Sequence, residues 1–111
     1  MNQFELFCLI FFYLDTQWEK TKDEILGEFL SDMNPFLFKN IGSADPAVYS
    51  DFCKVITEPI TVENSLELAK KYIASLNDET VSAAFGTLDP QEWLECTEEY
   101  LQMDHKGKDV Q

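Results

Sequence analysis

The sequence predicts an all-α fold, a single compact bundle of five or six short helices built from 111 residues. Apolar residues recur at helical spacing along nearly the whole chain, and residues that cap helices stand at most of the segment boundaries. No run of alternating apolar and polar residues is followed by a hairpin turn, as a sheet would require. Because a chain of this length supports one core, we expect one domain over residues 1–104 and a frayed C-terminal tail over residues 105–111.

The first helix is expected from about Asn2 to Lys20. Its apolar residues cover so much of the circumference that it should be the central, most buried element; they include Phe4, Phe7, Cys8, Phe11, Phe12 and Leu14. The sequence leaves open whether the next helix is separate or continues the first as a bent rod.

The second helix is expected to start with a capping box formed by Thr21 and Glu24. Its buried stripe is predicted to contain Ile25, Leu26, Phe29 and Leu30. Gly27 lies inside this pattern, where glycine costs about 1 kcal/mol relative to alanine. We therefore expect Gly27 to mark a close packing contact.

Residues 33–44 lack a helical pattern and are predicted to form a loop anchored by hydrophobic side chains, namely Phe36, Leu37 and Phe38. Asp45-Pro46 then predicts a helix start, because a carboxylate caps the helix and proline suits its first turn. This third helix should end near Thr57. Thr61 is expected to cap the fourth helix, which carries a favourable solvent-exposed pair of Glu67 and Lys71.

The last third of the chain predicts two more helices. Asn77-Asp78 ends the fourth helix and starts a short fifth one, which Gly86 closes. Asp89-Pro90 starts the sixth helix, with Glu92 completing a capping box, and this helix should run to about Met103.

The composition excludes several classes of partner and compartment. The chain has 21 acidic residues against 8 lysines and no arginine, which gives a net charge of −13, so direct binding to nucleic acid or to an anionic membrane is disfavoured. The apolar run from Phe4 to Leu14 lacks the basic region and cleavage site of a signal peptide and is too short to span a bilayer. No C-x-x-C spacing occurs, so we expect three reduced, mostly buried thiols in a cytoplasmic protein: Cys8, Cys53 and Cys96.

Motifs for catalysis are sparse. The one histidine, His105, falls in the predicted tail as a solvated residue, which leaves a nucleophilic triad without a base. The glycines are scattered, and no stretch has the spacing of a phosphate-binding or calcium-binding loop. A two-carboxylate hydrolase stays formally open, but the sequence does not select a pair. We expect no enzymatic activity, no cofactor and no metal site.

Acidic residues are concentrated towards the C-terminus. Between Tyr72 and His105 there are eight acids and no lysine, and one face of the sixth helix carries Glu92, Glu95 and Glu99. Two interpretations apply: a solvated face that keeps the protein soluble, or a docking surface for a basic macromolecule. A second cluster between Asp15 and Asp32 is diluted by lysines.

Two aromatic residues lie beside acids. Trp18 stands between Asp15 and Glu19, and Tyr49 stands between Asp45 and Asp51. Each is interpreted either as part of the core or as an anchor for a partner.

Two segments, LGEFLSDM from Leu26 to Met33 and SADPAVYSDF from Ser43 to Phe52, resemble a small all-helical family of bacterial immunity proteins from polymorphic and contact-dependent toxin systems. In that family a helix end like L-x-x-x-L-S-D-M leads to a helix start like D-P-A-x-[WY]-x-D-[WF]. The likeness covers residues 26–52 and extends loosely over residues 65–76. It implies binding and neutralisation of one cognate toxin domain in the cytoplasm, without catalysis, through Asp32, Asp45, Tyr49 and Asp51.

These four residues also have purely structural interpretations. Asp45 can serve only as a helix cap, Asp32 as a turn residue, and Tyr49 as packing against the loop around residues 36–38.

Charge and resemblance together predict an immunity protein whose acidic surface occludes the cationic active site of a toxin domain, a nuclease in the first instance. An acidic protein can occupy such a site by imitating phosphates. The alternative is an intracellular adaptor or regulatory subunit with a basic protein partner. The candidate partner-binding residues are Asp32, Asp45, Tyr49, Asp51, Glu92, Glu95 and Glu99. The sequence does not predict the oligomeric state.

Overall fold

Six α-helices make up the computed structural model, which describes residues 1–110, and this part of the chain contains no strand. The helices are α1 (Gln3–Thr21), α2 (Glu24–Met33), α3 (Pro46–Val55), α4 (Val62–Ser75), α5 (Glu79–Gly86) and α6 (Pro90–Gln102). The radius of gyration is 13.0 Å, as expected for a compact domain of this size. The predicted all-α bundle is therefore confirmed. None of the described helices is long and apolar enough to cross a membrane.

Helix α1 is the central element, as predicted. Asn2 starts it through a capping box with Glu5, and the helix packs against α2, α3, α4 and α5. Every side chain from Phe4 to Ile10 is buried. The prediction of burial on nearly all sides is wrong at one place, because Phe12 is 41% exposed. The bundle leaves that side of α1 open.

Helices α1 and α2 are separate. Lys22 adopts a left-handed conformation (φ 53°) that ends α1, and Asp23 caps α2 by accepting a hydrogen bond from the Leu26 amide (3.0 Å). The predicted capping box starting at Thr21 is wrong, because Thr21 is still the last residue of α1. The buried stripe also differs, since Ile25 is 55% exposed.

The expected close contact at Gly27 is present. The indole ring of Trp18 lies against this residue, and a Cβ atom at Gly27 would come within 2.8 Å of the Trp18 Nε1 atom. Glycine at this position therefore lets α2 approach the end of α1.

The predicted starts of the last four helices are confirmed, since their N-caps are Asp45, Thr61, Asp78 and Asp89. The predicted capping box at Glu92 is wrong, because Asp89 caps α6 through the Gln91 amide and Glu92 does not bond back to it. Residues 34–45 form the predicted irregular connection. The expected pairing of Glu67 with Lys71 is absent from the described residues. Lys71 instead pairs with Glu58 (3.2 Å), which lies in the loop before α4.

The C-terminal segment, residues 103–110, differs from the predicted frayed tail. The His105 side chain is 6% exposed, its Nε2 atom lies 2.7 Å from Glu5 Oε2, and its ring stacks on Tyr100 at 4.2 Å. The side-chain amide of Asn2 donates hydrogen bonds to the carbonyls of Gly107 (2.8 Å) and Val110 (2.9 Å). Glu5 is itself buried in the first turn of α1, so it needs a partner that a solvated His105 would not supply. Gln111 lies outside the described residues.

Candidate functional site: an apolar groove with an acidic rim

Helices α1 and α6 run antiparallel beside one another. Gln17, near the end of α1, meets Thr87 just before α6, whereas Glu5 in the first turn of α1 meets His105 after α6. Helix α6 packs chiefly against α4, and α1 packs against the other helices. A groove therefore remains between α1 and α6.

This α1–α6 groove encloses a volume of about 400 Å³. Two contacts join its walls: Tyr13 hydrogen-bonds Thr87 (2.8 Å), and the rings of Phe12 and Tyr100 meet edge to face at 5.8 Å. Apolar side chains dominate the walls, namely Leu9, Phe12, Tyr13, Leu88, Trp93, Tyr100 and Met103. Met103 is 54% exposed, so the groove opens to solvent along an apolar margin.

The rim of the groove is acidic on the α6 side. Asp89, Glu92 and Glu99 line it, whereas Lys20 is the one cation in the lining. Glu95 is exposed on the same helix and accepts a hydrogen bond from the Gln91 side chain (3.2 Å). No ion pair within residues 1–110 neutralises any of these α6 acids. Two of the three predicted glutamates, Glu92 and Glu99, therefore border the groove, while Glu95 is not part of its lining.

The threonine hydroxyls in the walls are already paired. The Thr16 hydroxyl donates to the Phe12 carbonyl (3.0 Å), and the Thr87 hydroxyl lies 3.0 Å from the Ala84 carbonyl and 2.8 Å from the Tyr13 hydroxyl. By contrast, the carboxylates of Glu92 and Glu99 make no hydrogen bond within the described chain. The groove thus offers a visiting molecule apolar surface and carboxylate acceptors.

Cys96 lies in the groove between the two rim glutamates. Partial desolvation in the groove raises the pKa of its thiol, and the negative charges of Glu92, Glu99 and Glu95 raise it further, so the thiol is protonated at neutral pH. All three cysteines are free. The expectation that they are mostly buried is wrong for Cys96, which is exposed, and right for Cys8, where burial raises the pKa to about 12.

The other four candidate residues lie elsewhere. Tyr49 packs edge to face on Phe4 (5.6 Å) and Phe7 (5.1 Å), which lie about half a helical turn around α1 from groove residues such as Leu9. The structure therefore places Tyr49 on the opposite side of α1 from the groove. The seven candidates form two groups, one on α6 and one around the start of α3.

Several of these α3 residues have structural tasks. The Asp45 carboxylate caps α3 through the Ala47 amide (3.1 Å), and the Asp45 amide donates to the Asp32 carbonyl (2.9 Å). Asp51 is exposed, 3.9 Å from Lys54. Tyr49 is half-buried among aromatic rings, and its burial raises the pKa of its hydroxyl. Its ring pairs are with Phe4, Phe7 and Phe52, and not with the phenylalanines of the loop around residues 36–38. It also lines a smaller cavity of about 220 Å³ with Glu58 and Pro59.

An exposed hydrophobic loop continues the apolar surface of the groove. Phe36 stacks on Phe12 at 5.3 Å, and this 36–41 loop exposes Leu37 (60%) and Phe38 (56%). Lys106 holds the loop by donating to the carbonyls of Pro35 (2.5 Å) and Phe38 (2.6 Å). An apolar surface bordered by unpaired acids is typical of a protein interaction site.

Sequence reasoning identified the acidic rim but missed the apolar walls. Phe12, for example, is expected in the core but lines the groove and is 41% exposed. The signal that could have found the groove is the excess of apolar positions around the first helix, more than neighbouring helices can cover. The chain matches no protein-family model, no curated protein and no solved structure.

Proposed function

We propose that this chain is a non-catalytic binding protein that captures a basic protein partner through the α1–α6 groove and the acidic face of α6. More specifically, we propose an immunity protein that neutralises a cognate bacterial toxin domain, a cationic nuclease, in the cytoplasm. The observation that carries the proposal is the juxtaposition of an open apolar groove with carboxylates that have no cationic partner in residues 1–110.

The charge distribution favours a basic partner. Unpaired carboxylates beside an apolar surface attract a cationic protein at long range and repel nucleic acid and anionic lipid. A nuclease must present a cationic groove to its substrate, so the acidic face of α6 can occupy that groove by imitating phosphates.

The environment of the single histidine supports a role without catalysis. Both ring nitrogens of His105 are engaged, with Glu5 at 2.7 Å and with the Met103 carbonyl at 2.7 Å, and the side chain is almost fully buried. A substrate would not reach it as a base. The one thiol that faces the groove, Cys96, is held protonated and is a poor nucleophile.

The immunity assignment rests on the resemblance over residues 26–52 together with this charge argument. An adaptor or regulatory subunit with a basic partner would use the same groove. The two proposals differ in the partner: an immunity protein protects a cell from the toxic domain encoded directly upstream of its own gene, and an adaptor does not.

Co-expression in bacteria tests the proposal. The chain is produced together with the C-terminal domain encoded by the upstream gene, and growth and nuclease activity are measured. We expect restored growth, and loss of nuclease activity in vitro at equimolar chain. A toxic domain that remains fully active beside excess folded chain, or an upstream gene that encodes no toxic domain, contradicts the immunity assignment.

Kinetics with charge variants test the binding face. Replacing Glu92 and Glu99 by glutamine should slow association about tenfold at low salt and reduce its salt dependence. The matched control replaces Glu28 and Glu67, exposed acids on α2 and α4, and changes the net charge equally. Equal association rates for the two double variants would show that α6 is not the binding face.

A further inference from the structure

We propose that the occupant of the α1–α6 groove is an amphipathic α-helix of the partner, with an apolar stripe that enters the groove and lysine or arginine side chains that pair with Asp89, Glu92 and Glu99. This inference deepens the proposed function and takes from it only that the partner is a basic protein.

The dimensions of the groove suit a helix. Its α1 wall extends from Leu9 to Lys20, and its α6 wall extends from Asp89 to Met103. At 1.5 Å per residue these walls are about 17 Å and about 21 Å long, the length of three to four helical turns. Two antiparallel helices that meet through a few side chains, without close approach of their backbones, leave a furrow in which a third helix can lie.

The hydrogen bonding in the walls argues against an extended segment. An extended backbone in the groove would need partners for its amide and carbonyl groups. The wall hydroxyls of Thr16 and Thr87 are already bonded within the protein, and no strand edge exists in the described chain to extend as a sheet. A helix satisfies its own backbone internally and presents only side chains to the groove.

The charges on the rim select the side chains of the occupant. Three carboxylates line the rim and one cation, Lys20, faces them, so the rim supplies acceptors and requires donors. Lysine and arginine bring positively charged donors, whereas an acidic or neutral helix would leave the carboxylates uncompensated. Apolar residues of the bound helix at i, i+3, i+4 and i+7 would fill the groove between Leu9 and Trp93.

Binding of a synthetic probe tests this inference without the natural partner. The probe is a peptide of about 14 residues, close to the length of the walls, with leucines at i, i+3, i+4 and i+7 and lysines elsewhere. Its control has the same composition, but its leucines alternate with lysines at i, i+2, i+4 and i+6, which removes the helical stripe. Calorimetry measures each affinity, and NMR shift changes locate the site on the protein.

The expected result is that the helical probe binds about tenfold more tightly than the alternating control, with shift changes concentrated on Leu9, Tyr13 and Cys96. The variant Cys96→Phe, which fills the groove and leaves every charge in place, should weaken the probe about tenfold. The matched control Ser82→Phe places the same ring on the exposed surface of α5 and should bind like the parent.

Three results would overturn the inference: no binding of the helical probe, equal affinity for the two peptides, or unchanged affinity in a folded Cys96→Phe variant. These outcomes are distinct from failure of the proposed function. A chain that protects cells from the toxin but ignores the helical probe refutes only the helical occupant. A chain that binds the probe through the groove but gives no protection refutes only the immunity role.

Discussion

Replacing His105 by alanine should destabilise the protein markedly, although sequence reasoning places this residue in a frayed tail. In the structure His105 joins the C-terminal segment to the first turn of α1. Both ring nitrogens contact oxygen atoms, one in the Glu5 carboxylate and one in the Met103 carbonyl. Alanine removes both bonds and the stacking on Tyr100.

The loss of stability in His105→Ala can be calculated from these contacts. A hydrogen bond to a charged group contributes about 1.5–3 kcal/mol, and a stacked ring pair adds about 0.5–1.5 kcal/mol. In this variant the Glu5 carboxylate keeps its hydrogen bond from the Asn2 backbone amide (2.8 Å), so it is not left wholly unpaired. We therefore expect His105→Ala to lower the free energy of unfolding by about 2–4 kcal/mol.

Urea denaturation followed by circular dichroism measures this loss. Lys108→Ala, an exposed position on the same segment, is the control and should change stability by less than about 0.5 kcal/mol. A double-mutant cycle with Glu5→Gln should give a coupling energy of at least about 1 kcal/mol. A His105→Ala variant as stable as Lys108→Ala would show that the contacts of His105 do not stabilise the fold, and would support a frayed tail instead.

Three further outcomes are expected. Phe52→Ala should lower the free energy of unfolding, measured by chemical denaturation, by about 3–5 kcal/mol because Phe52 is fully buried. Phe11→Ala, at a half-buried site, should lower it by less, and the reverse order would contradict this assignment of the core. A disulfide reagent should label Cys96 in the native protein well before Cys8, which is buried; equal rates would contradict this order. Folding raises the pKa of Cys8 from 9.0 to about 12, so its stabilising contribution is complete below pH 9 and is lost between pH 9 and pH 12. Between pH 8 and pH 11 the free energy of unfolding should therefore fall by about 2–3 kcal/mol more in the parent than in Cys8→Ala. An equal fall in the two proteins would contradict the burial of Cys8.

Local sequence signals were sufficient to predict the helices. The caps at Asp45, Thr61, Asp78 and Asp89 depend on bonds between residues two or three apart, so the sequence displays them directly. The cap of α2 was misplaced because Thr21 and Asp23 both suit a cap, and the choice depends on where α1 ends. Helix α1 ends where Lys22 adopts a left-handed backbone conformation, and no local sequence pattern predicts that conformation.

Only the acidic charge of the candidate site could be predicted from the sequence. The spacing of Glu92 and Glu99 on one face of a helix is a local property, and the structure places both on the rim. The groove depends on which side of α1 its neighbours leave uncovered, a tertiary property that periodicity does not contain. The contact of Glu5 with His105 spans 100 residues and is likewise invisible to local reasoning.

The contact of residues 105–110 with the first turn of α1 has a consequence during protein synthesis. Helix α1 is synthesised before the helices that it packs against, and residues 105–110 cover its N-terminal end. Burial of the apolar stretch from Phe4 to Ile10 therefore begins when α2 and α3 are made and is complete only after residues 105–110 have been translated. A nascent chain halted before His105 would leave the first turn of α1 partly exposed to chaperones and proteases.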